Sequence, residues 1–463
     1  MARDLADLVA DLGDIPVLTD PARCKQRSRD FFWYSPRLKP VFEGVTADLV
    51  VLARSEEDVL ATIRACWRHD VPLTVRGAGT GNYGQAMPLK GGVVLDLSEL
   101  TGVLWLKPGS VRAKAGTRLH DIEGAANAQG QELRLFPSTR RSATVGGFIA
   151  GGSSGIGAVN WGLLRDRGNI IALRVLTMEE APRVLELRGD EIQKVNHAYG
   201  TNGIITEVEL ALASFCPWID TIITFQDFGA ALRFGQALVE APGIFKKTCA
   251  LLPAPIPQSY FTPLANYIKT GRHSIFTLVA PQSSEALEEL VKEMAGEICY
   301  RKTAAEAEAE RLLPLYEFTW NHTTMWALRH DKSITYLQTL FPVGQTVELV
   351  ERLNAHFGDE VMHHLEFVRA GGGFTCFGIQ LVRYTTDERL DQIMQFYDSQ
   401  GCTQFDPHAY TLEEGGMKQI DLVQLNFKKE ADPKGLLNPG KMRAWDDPRW
   451  AAQANRAYLY AAS

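Results

Sequence analysis

Three glycine-rich segments, two of them at the ends of apolar runs, constrain this chain more than any other feature. Residues 76–84 read RGAGTGNYG, residues 136–147 read FPSTRRSATVGG, and residues 150–157 read AGGSSGIG. Glycine tolerates positive φ and lets backbone N–H groups approach an anion. The first segment lacks the pattern of a P-loop, and no helix of the Rossmann kind follows it. One such cluster is often a tight turn, but three predict a large phosphate-bearing cofactor, with a dinucleotide favoured, held mainly by backbone.

The segments around the glycine clusters alternate in an α/β rhythm. Residues 47–52, 71–75 and 93–97 are apolar and β-branched, which predicts buried strands. Ser55 marks the start of a helix between the first two strands. Strands predicted over 170–178 and 203–212 close the same domain. Near residue 215 this pattern changes, and helices and strands alternate at longer spacings. An Ala/Glu-rich helix is predicted over 303–313.

Composition excludes several classes of protein. The 463 residues carry a formal net charge of −7, which argues against a general binder of nucleic acid or anionic membranes. No apolar stretch approaches the ~20 residues of a membrane span. The first 14 residues lack the basic start of a secretory signal. Seven scattered cysteines without a CxxC pair favour a reduced, cytoplasmic chain.

Taken together, residues 76–84, 137–139, 144–157 and 432–442 resemble the vanillyl-alcohol oxidase / p-cresol methylhydroxylase (PCMH-type) FAD-binding superfamily. Within it they are most similar to the branch of the glycolate oxidase D-subunit and D-lactate dehydrogenase. The resemblance implies an α+β fold, with an FAD-binding domain of two α/β subdomains and an α+β cap that contains an antiparallel sheet. It implies these boundaries: a helical arm over 1–40, the FAD-binding domain over 41–213, the cap over 214–425, and a return with a tail over 426–463.

The resemblance also implies which residues hold FAD. The pyrophosphate is expected on residues 76–82, the flavin and ribityl chain on the second and third segments, and the adenine half on Ile205. The expected residues are Arg76, Gly77, Gly79, Thr80, Gly81, Asn82, Pro137, Ser138, Thr139, Thr144, Gly147, Ser154, Gly157 and Ile205. Some members bond the flavin covalently through a histidine in the first loop, where this chain has Thr80. Since no cysteine lies between Cys66 and Cys216 either, we expect non-covalent FAD.

Hydride transfer to a flavin needs a base for the substrate proton, and residues 407–416, PHAYTLEEGG, are the first candidate. If residues 409–412 are extended, His408 and Tyr410 share one face and can reach one substrate. The prediction is that His408 is the base and Tyr410 its hydrogen-bonding partner. The alternative is a loop histidine that bonds to Glu413 or to a backbone carbonyl.

Two further clusters are candidates for the pocket. Trp320, Asn321 and His322 combine two rings and an amide, which suits either a pocket wall or a buried structural network. In HHLEFVR, residues 363–369, His364 and Glu366 share one face of a strand. They make two possible metal ligands with no assured third, so no metal is predicted, and a salt-bridged strand residue is the other interpretation of Glu366.

Three more polar side chains complete the predicted pocket: Gln380, Arg383 and Lys441. An arginine that faces the pocket suits a carboxylate substrate, although most strand arginines are surface charges. The related branch carries a Gly-Glu-His-Gly motif near the equivalent of residues 408–416, and this chain does not. The cofactor therefore carries over better than the hydroxy-acid substrate or any metal.

The sequence thus predicts an FAD-dependent oxidoreductase that transfers a hydride from a C–H next to a hydroxyl, in a small alcohol or 2-hydroxy acid, to flavin N5. Oxygen or another acceptor would re-oxidise the reduced flavin. The chain could also form a homo-oligomer. The alternatives are oxidation of an amine, a sugar lactone or a secondary metabolite, and a flavoprotein subunit of an electron-transfer complex. Trp445 and Trp450 in the aromatic tail motivate the last. A protein that has lost its cofactor and only binds a ligand is the least favoured.

Overall fold

The computed structural model describes residues 5–417 and 420–449. Its helices are α1 (Ala6–Leu12), α2 (Pro21–Arg27), α3 (Leu38–Val41), α4 (Glu56–Arg68), α5 (Leu119–Asn127), α6 (Val145–Gly151), α7 (Ala158–Trp161), α8 (Phe228–Glu240), α9 (Ile256–Tyr260), α10 (Ser284–Glu293), α11 (Ala304–Ala309), α12 (Asn321–His330), α13 (Thr346–Phe357), α14 (Asp387–Ser399), α15 (Leu422–Ala431) and α16 (Arg443–Asp446).

The strands are β1 (Val17–Leu18), β2 (Leu49–Leu52), β3 (Leu73–Arg76), β4 (Val93–Asp96), β5 (Val103–Lys107), β6 (Ser110–Lys114), β7 (Gln131–Leu133), β8 (Ile170–Leu176), β9 (Val184–Arg188), β10 (Ile204–Ser214), β11 (Ile219–Phe225), β12 (Lys246–Leu252), β13 (His273–Val279), β14 (Glu297–Thr303), β15 (Ile334–Tyr336), β16 (Thr339–Leu340), β17 (Val361–Met362), β18 (Leu365–Ala370), β19 (Gly373–Gly378), β20 (Leu381–Arg383) and β21 (Thr403–Gln404).

The first sheet has the order β1-β2-β4-β3, in which β2, β4 and β3 are parallel. Strands β2 and β4 are buried along their whole length, and they are apolar apart from Asp96 at the end of β4. Helix α4 begins at Ser55, whose side chain accepts from Asp58 N in a capping box. The strand and helix predictions for this region are confirmed, and β3 leads directly into residues 76–84.

A second, antiparallel sheet follows in the order β5-β6-β10-β8-β9, with β7 paired to β10. The long strand β10 pairs with β6 and β8 along its sides. Helix α6 begins at Thr144, whose hydroxyl accepts from Gly147 N at 3.3 Å. This sheet therefore presents the second and third glycine-rich segments toward the end of β3.

The remaining strands form an eight-stranded antiparallel sheet, β14-β11-β13-β12-β18-β19-β16-β21, and a small sheet, β15-β20-β17. The change of sheet falls between Ser214 and Ile219. An α+β fold with an antiparallel sheet in its second half is confirmed. The helix predicted over 303–313 is shorter, because Thr303 caps its start and the chain turns at Arg311 with φ +58°.

The ends of the chain join these layers. Strand β1 pairs with β2, and Arg37 bonds to Asp387 and Asp391 on α14, so the predicted arm bridges the two halves. The return segment reaches β3, where Leu73 N donates to Leu436 O at 2.8 Å. Trp450 and the part of the predicted aromatic tail that follows it lie outside the described residues. Among the described residues, no helix has the length and apolar character needed to cross a membrane.

Asp220 on β11 is a buried carboxylate whose removal is expected to stabilise the protein at neutral pH. Burial raises its pKa to about 6, and its Oδ2 accepts from Leu315 N at 2.9 Å. Because the folded-state pKa is raised, the folded state binds more protons between pH 4 and 6, and the free energy of unfolding falls as pH rises through that window. Asp220→Asn keeps the acceptor without the charge, so it is expected to gain about 1–3 kcal/mol at pH 7 and nothing near pH 4.

Urea unfolding of both proteins at several pH values measures this difference. Asp359→Asn, at an exposed carboxylate, is the control and is expected to leave the pH dependence unchanged. An Asp220→Asn protein with the same advantage at pH 4 as at pH 7 would contradict the assignment.

Candidate functional site

A large cavity opens where the end of β3, the start of α6 and the start of α12 meet. It encloses about 2080 Å³ of non-protein space, a figure that includes open solvent at its mouth. Of the residues predicted to bind FAD, all except Gly157 line it. Three of the predicted catalytic and pocket residues, Trp320, Asn321 and His322, also line it.

Residues 76–84 form a loop with unused backbone donors. The N–H groups of residues 78–82 donate no hydrogen bond to another described residue. The Arg76 guanidinium lies inside the turn and donates to Arg29 O and to Ala78 O. Gly79 has φ +66°, and a Cβ there would lie 2.2 Å from Arg76 Nη1. The loop is therefore shaped to present N–H groups to an anion, with a buried arginine behind it.

The second and third glycine-rich segments form the opposite wall. Residues 138–139 and 153–155 line the cavity, and their N–H groups likewise have no acceptor among the described residues. Gly155 has φ +89°, which holds the chain against Phe136 O. Gly157 is the exception among the predicted ligands, because its N–H donates to Lys247 O and a Cβ would lie 1.9 Å from Arg134 O. The prediction that Gly157 lines the flavin site is corrected to a packing role.

These observations fit FAD. Unpaired backbone donors on two facing segments suit a pyrophosphate and a ribityl chain, and the glycines lie where a Cβ would collide. His197 also lines the cavity, next to Gly152, and burial lowers its pKa to about 3, so its ring is neutral there. No sequence pattern pointed to His197.

At the cap end, a strained residue begins helix α12. Trp320 has φ +52°, and its N–H donates to Glu366 Oε1 at 2.6 Å. His364 Nε2 lies 2.8 Å from the same oxygen. Burial raises the pKa of Glu366. Glu366 does not line the cavity, so the prediction that it is catalytic is corrected: it holds the Trp320 peptide in place.

His322, two residues further on, faces the cavity with a carboxylate behind it. Its Nδ1 lies 3.0 Å from Glu317 Oε2, and Arg141 Nε lies 3.4 Å from the other oxygen of Glu317. Glu317 therefore lies on the Nδ1 side of the ring, although the two side chains are not aligned for a hydrogen bond, and Nε2 is the other ring nitrogen. The sequence reasoning missed Glu317, although an acid five residues before His322 was a visible signal.

His408 and Tyr410 are not brought to the cavity. Residues 407–408 form a turn and a π-helix covers 412–417, so the extended segment expected over 409–412 is wrong. His408 Nδ1 bonds to Ser35 Oγ at 2.8 Å and Nε2 to Tyr336 O at 3.0 Å. Burial lowers its pKa to about 3. With both nitrogens engaged, His408 is a structural histidine, and Tyr410 packs on Phe42 at 5.6 Å between ring centroids.

Gln380, Arg383 and Lys441 are also absent from the cavity wall. Gln380 is buried and bonds to Thr339. Arg383 is exposed and donates to Asp359 O at 3.1 Å, so the structure does not bring it to the cavity. Lys441 is buried and donates to Gly84 O. Its role as a pocket residue is likewise corrected.

Several wall residues come from segments that carried no signal. The arm contributes Asp30, Phe31 and Tyr34, and the cap contributes Gln338, Phe377, Ile379 and Phe405. Their place depends on contacts between residues about 300 positions apart, such as Thr335 Oγ1 to Tyr34 O at 3.2 Å. No group of three or more histidine, cysteine or carboxylate side chains suited to a metal occurs in the described part of the chain.

Glu366 provides a test of how the cap wall is held. Glu366→Leu is expected to cost about 3 kcal/mol of stability, because two buried donors lose their acceptor. Ligand affinity is expected to fall as well, since the strained Trp320 peptide is released. Glu366→Gln keeps one oxygen for Trp320 N–H and is expected to restore affinity. Urea unfolding and ligand titration measure the two effects; equal affinities for Glu366→Leu and the parent would contradict the positioning role.

Comparisons with known proteins agree with this geometry. Residues 47–181 match the family model described as an FAD binding domain. The chain is 30% identical to D-lactate dehydrogenase of Anaerostipes hadrus over 184 residues, and this match covers 37% of each chain. It is 24% identical to glycolate oxidase subunit GlcD of Bacillus subtilis (strain 168) over 454 residues, covering 89% of this chain and 92% of GlcD.

Among solved structures, an alkyldihydroxyacetonephosphate synthase superposes with a TM-score of 0.72 over 95% of this chain and 85% of that one. At 16% identity this likeness concerns the fold alone. The resemblance expected from the glycine-rich segments is confirmed. Residues 47–181 are an FAD binding domain, and glycolate oxidase subunit GlcD and D-lactate dehydrogenase are among the proteins to which the chain is similar.

Proposed function

We propose that this chain is an FAD-dependent oxidoreductase that oxidises a C–H next to a hydroxyl, with non-covalent FAD and His322 as the base. One observation carries the proposal: a single cavity has unused backbone donors at one end and the His322–Glu317 pair at the other. The relatives named glycolate oxidase and D-lactate dehydrogenase support the same reaction class.

The FAD-binding residues lie on both facing segments. Residues 78–82 would hold the pyrophosphate through backbone N–H groups, and Ser138, Thr139 and residues 153–155 would hold the ribityl chain and the flavin edge. When bound, FAD supplies the hydride acceptor that no amino-acid side chain can provide. Thr80 supplies no nucleophile of the kind that bonds flavin in some members, which supports non-covalent binding.

The chain's own residues move the proton. Glu317 Oε2 lies 3.0 Å from His322 Nδ1, so a proton on Nδ1 would face the carboxylate, which favours the tautomer in which Nε2 carries the lone pair. A substrate hydroxyl next to Nε2 then loses its proton to the imidazole as its C–H bond is broken. The imidazolium that results is stabilised by the Glu317 carboxylate. Trp320 and Phe377 wall this end and exclude water from the reacting carbon.

The remaining expectations belong to the same proposal. The substrate is a small molecule, and oxygen or a second acceptor takes up the electrons. A cytoplasmic location is supported by the seven cysteines, which form no disulfide. The word subunit in the name of the GlcD relative keeps a role within a larger complex open as the alternative.

The first measurement is an absorption spectrum of the purified protein before and after acid precipitation. Flavin bands whose colour passes into the supernatant are the expected result, because no covalent link holds the cofactor. Colour that stays in the pellet would overturn non-covalent binding and would direct attention to His197 and His322 as cavity-lining histidines. A colourless protein that takes up no added FAD would overturn the enzyme proposal itself.

A further inference from the structure

We propose that the cap end of the cavity takes an uncharged alcohol with a planar apolar body rather than a small 2-hydroxy acid. The inference rests on the proposed function and names its substrate class. It is carried by the distribution of charge and by the aromatic walls around His322.

The charges of the cavity are distributed unevenly. Among the described residues, the arginines that line it are Arg76 and Arg165, and no lysine does. Arg76 lies behind the first glycine-rich loop, and Arg165 is beside Gln193 and Asp421, away from the cap. No arginine or lysine lines the cap end within the described part of the chain.

A carboxylate at this end would therefore be buried without a cation. Removing a carboxylate from water costs several kcal/mol unless it is paired or fully hydrogen-bonded. The nearest charge behind His322 is the Glu317 carboxylate, 3.0 Å from Nδ1, which the exposed Arg141 partly offsets from outside the cavity wall. A substrate carboxylate therefore finds no free cation beside that imidazole, whereas a neutral hydroxyl needs none.

Two buried polar groups at the cap end lack partners within the described chain. Trp320 Nε1–H is an unused donor on a side chain that is 8% exposed, and Asn321 Oδ1 is an unused acceptor. Because the reacting hydroxyl donates its one proton to His322 Nε2, a further polar substituent of the substrate is needed to meet these two groups. The Asn321 amide carries both an acceptor and a donor, so it does not by itself distinguish a hydroxyl from a carboxylate.

The walls suit a flat apolar body. The rings of Trp320 and Phe377 lie 6.1 Å apart between centroids, and those of Phe377 and Phe405 lie 5.9 Å apart, both tilted. Ile379 and Met325 complete this surface. Aromatic ligands gain offset and edge contacts from such walls, whereas glycolate or lactate would leave them unfilled.

The test compares substrates that differ only in the carboxylate. FAD-loaded enzyme is mixed anaerobically with each enantiomer of 1-phenylethanol and of mandelate, and flavin bleaching is followed. We expect 1-phenylethanol to half-saturate reduction at a concentration at least about tenfold lower than mandelate. Mandelate or D-lactate acting as well or better would overturn the substrate class and leave the oxidoreductase function standing.

A second arm separates failure of the inference from failure of the function. If none of these alcohols bleaches flavin that dithionite does reduce, the proposed reaction fails. Acetophenone and phenylglyoxylate are then titrated for perturbation of the flavin spectrum, and tighter binding of phenylglyoxylate overturns the inference.

Asn321→Arg supplies the missing cation and is expected to shift the preference toward mandelate by about tenfold or more. His330→Arg, at the exposed end of the same helix, is the control and is expected to leave the preference unchanged. Flavin content reports whether each variant is folded. An Asn321→Arg variant that retains FAD and shows the parent preference would overturn the inference that this end of the cavity distinguishes a charged substrate from an uncharged one.

Discussion

His322→Asn is expected to slow flavin reduction by a saturating alcohol by about 10²–10⁴-fold while FAD stays bound. The variant removes the ring nitrogen that accepts the hydroxyl proton and leaves the glycine-rich loops untouched. Its readout is the first-order bleaching rate after anaerobic mixing, normalised to flavin content. Glu317→Gln is expected to give a smaller loss, of about tenfold or more, because Nε2 remains but its tautomer is no longer favoured.

Two histidine variants make this result specific. His330→Asn changes an exposed histidine on the same helix, whose ring stacks on Tyr260 at 6.4 Å, and is expected to keep the parent rate. His408→Asn is expected to lose stability through Ser35 and Tyr336 and to keep its rate per bound flavin. A full rate in His322→Asn together with a large loss in His408→Asn would restore the prediction made from the sequence.

Local patterns predicted the cofactor end of the molecule well. The strand that ends at Arg76 is largely buried, and Gly79 and Gly84, which follow it, have φ values that other residues rarely adopt. Both properties follow from the types of consecutive residues, so neither depends on distant contacts. The same is true of Thr144, whose helix start is a short-range signal.

The cap end could not be predicted in the same way, and the two histidines show why. His408 and His322 both lie among aromatic and polar residues, and local sequence does not distinguish them. Their contacts in the folded chain distinguish them. His408 bonds to Ser35, 373 positions away, whereas His322 lies next to Glu317 and lines the cavity. Arg383 failed for a related reason: it ends the central strand of the β15-β20-β17 sheet with its side chain exposed, and only the packing of that sheet reveals this.

The strained backbone at Trp320 links a local conformation to a contact with a distant residue. A tryptophan at positive φ is costly by itself, by about 1–2 kcal/mol, and no local pattern favours it. Glu366 on β18 compensates by accepting its N–H, so a distant carboxylate determines the direction in which residues 320–322 face. Backbone strain that the surroundings enforce is characteristic of functional sites, which agrees with a substrate wall here.

Gly155→Ala is expected to abolish FAD binding and to cost about 2–4 kcal/mol of stability, since two penalties combine. Gly155 has φ +89°, and its Cβ would lie 2.2 Å from the backbone oxygen of Phe136, an atom that cannot rotate away. The segment must shift as a whole, and with it the N–H groups of residues 153–155 that line the cavity. Flavin absorbance per protein after addition of excess FAD, with urea unfolding alongside, measures both losses.

Two glycine controls separate backbone geometry from bulk. Gly124→Ala lies on the exposed face of α5 with no atom within 4 Å of the new Cβ, so FAD binding should persist and stability rise by about 0.5–1 kcal/mol. Gly151→Ala adds a methyl group at the cavity wall, also with no atom within 4 Å and without positive φ. This variant is expected to weaken FAD binding only if the methyl group contacts the cofactor, and it should not lose the stability that Gly155→Ala loses. A Gly155→Ala protein that binds FAD like the parent would show that this turn does not shape the cofactor site.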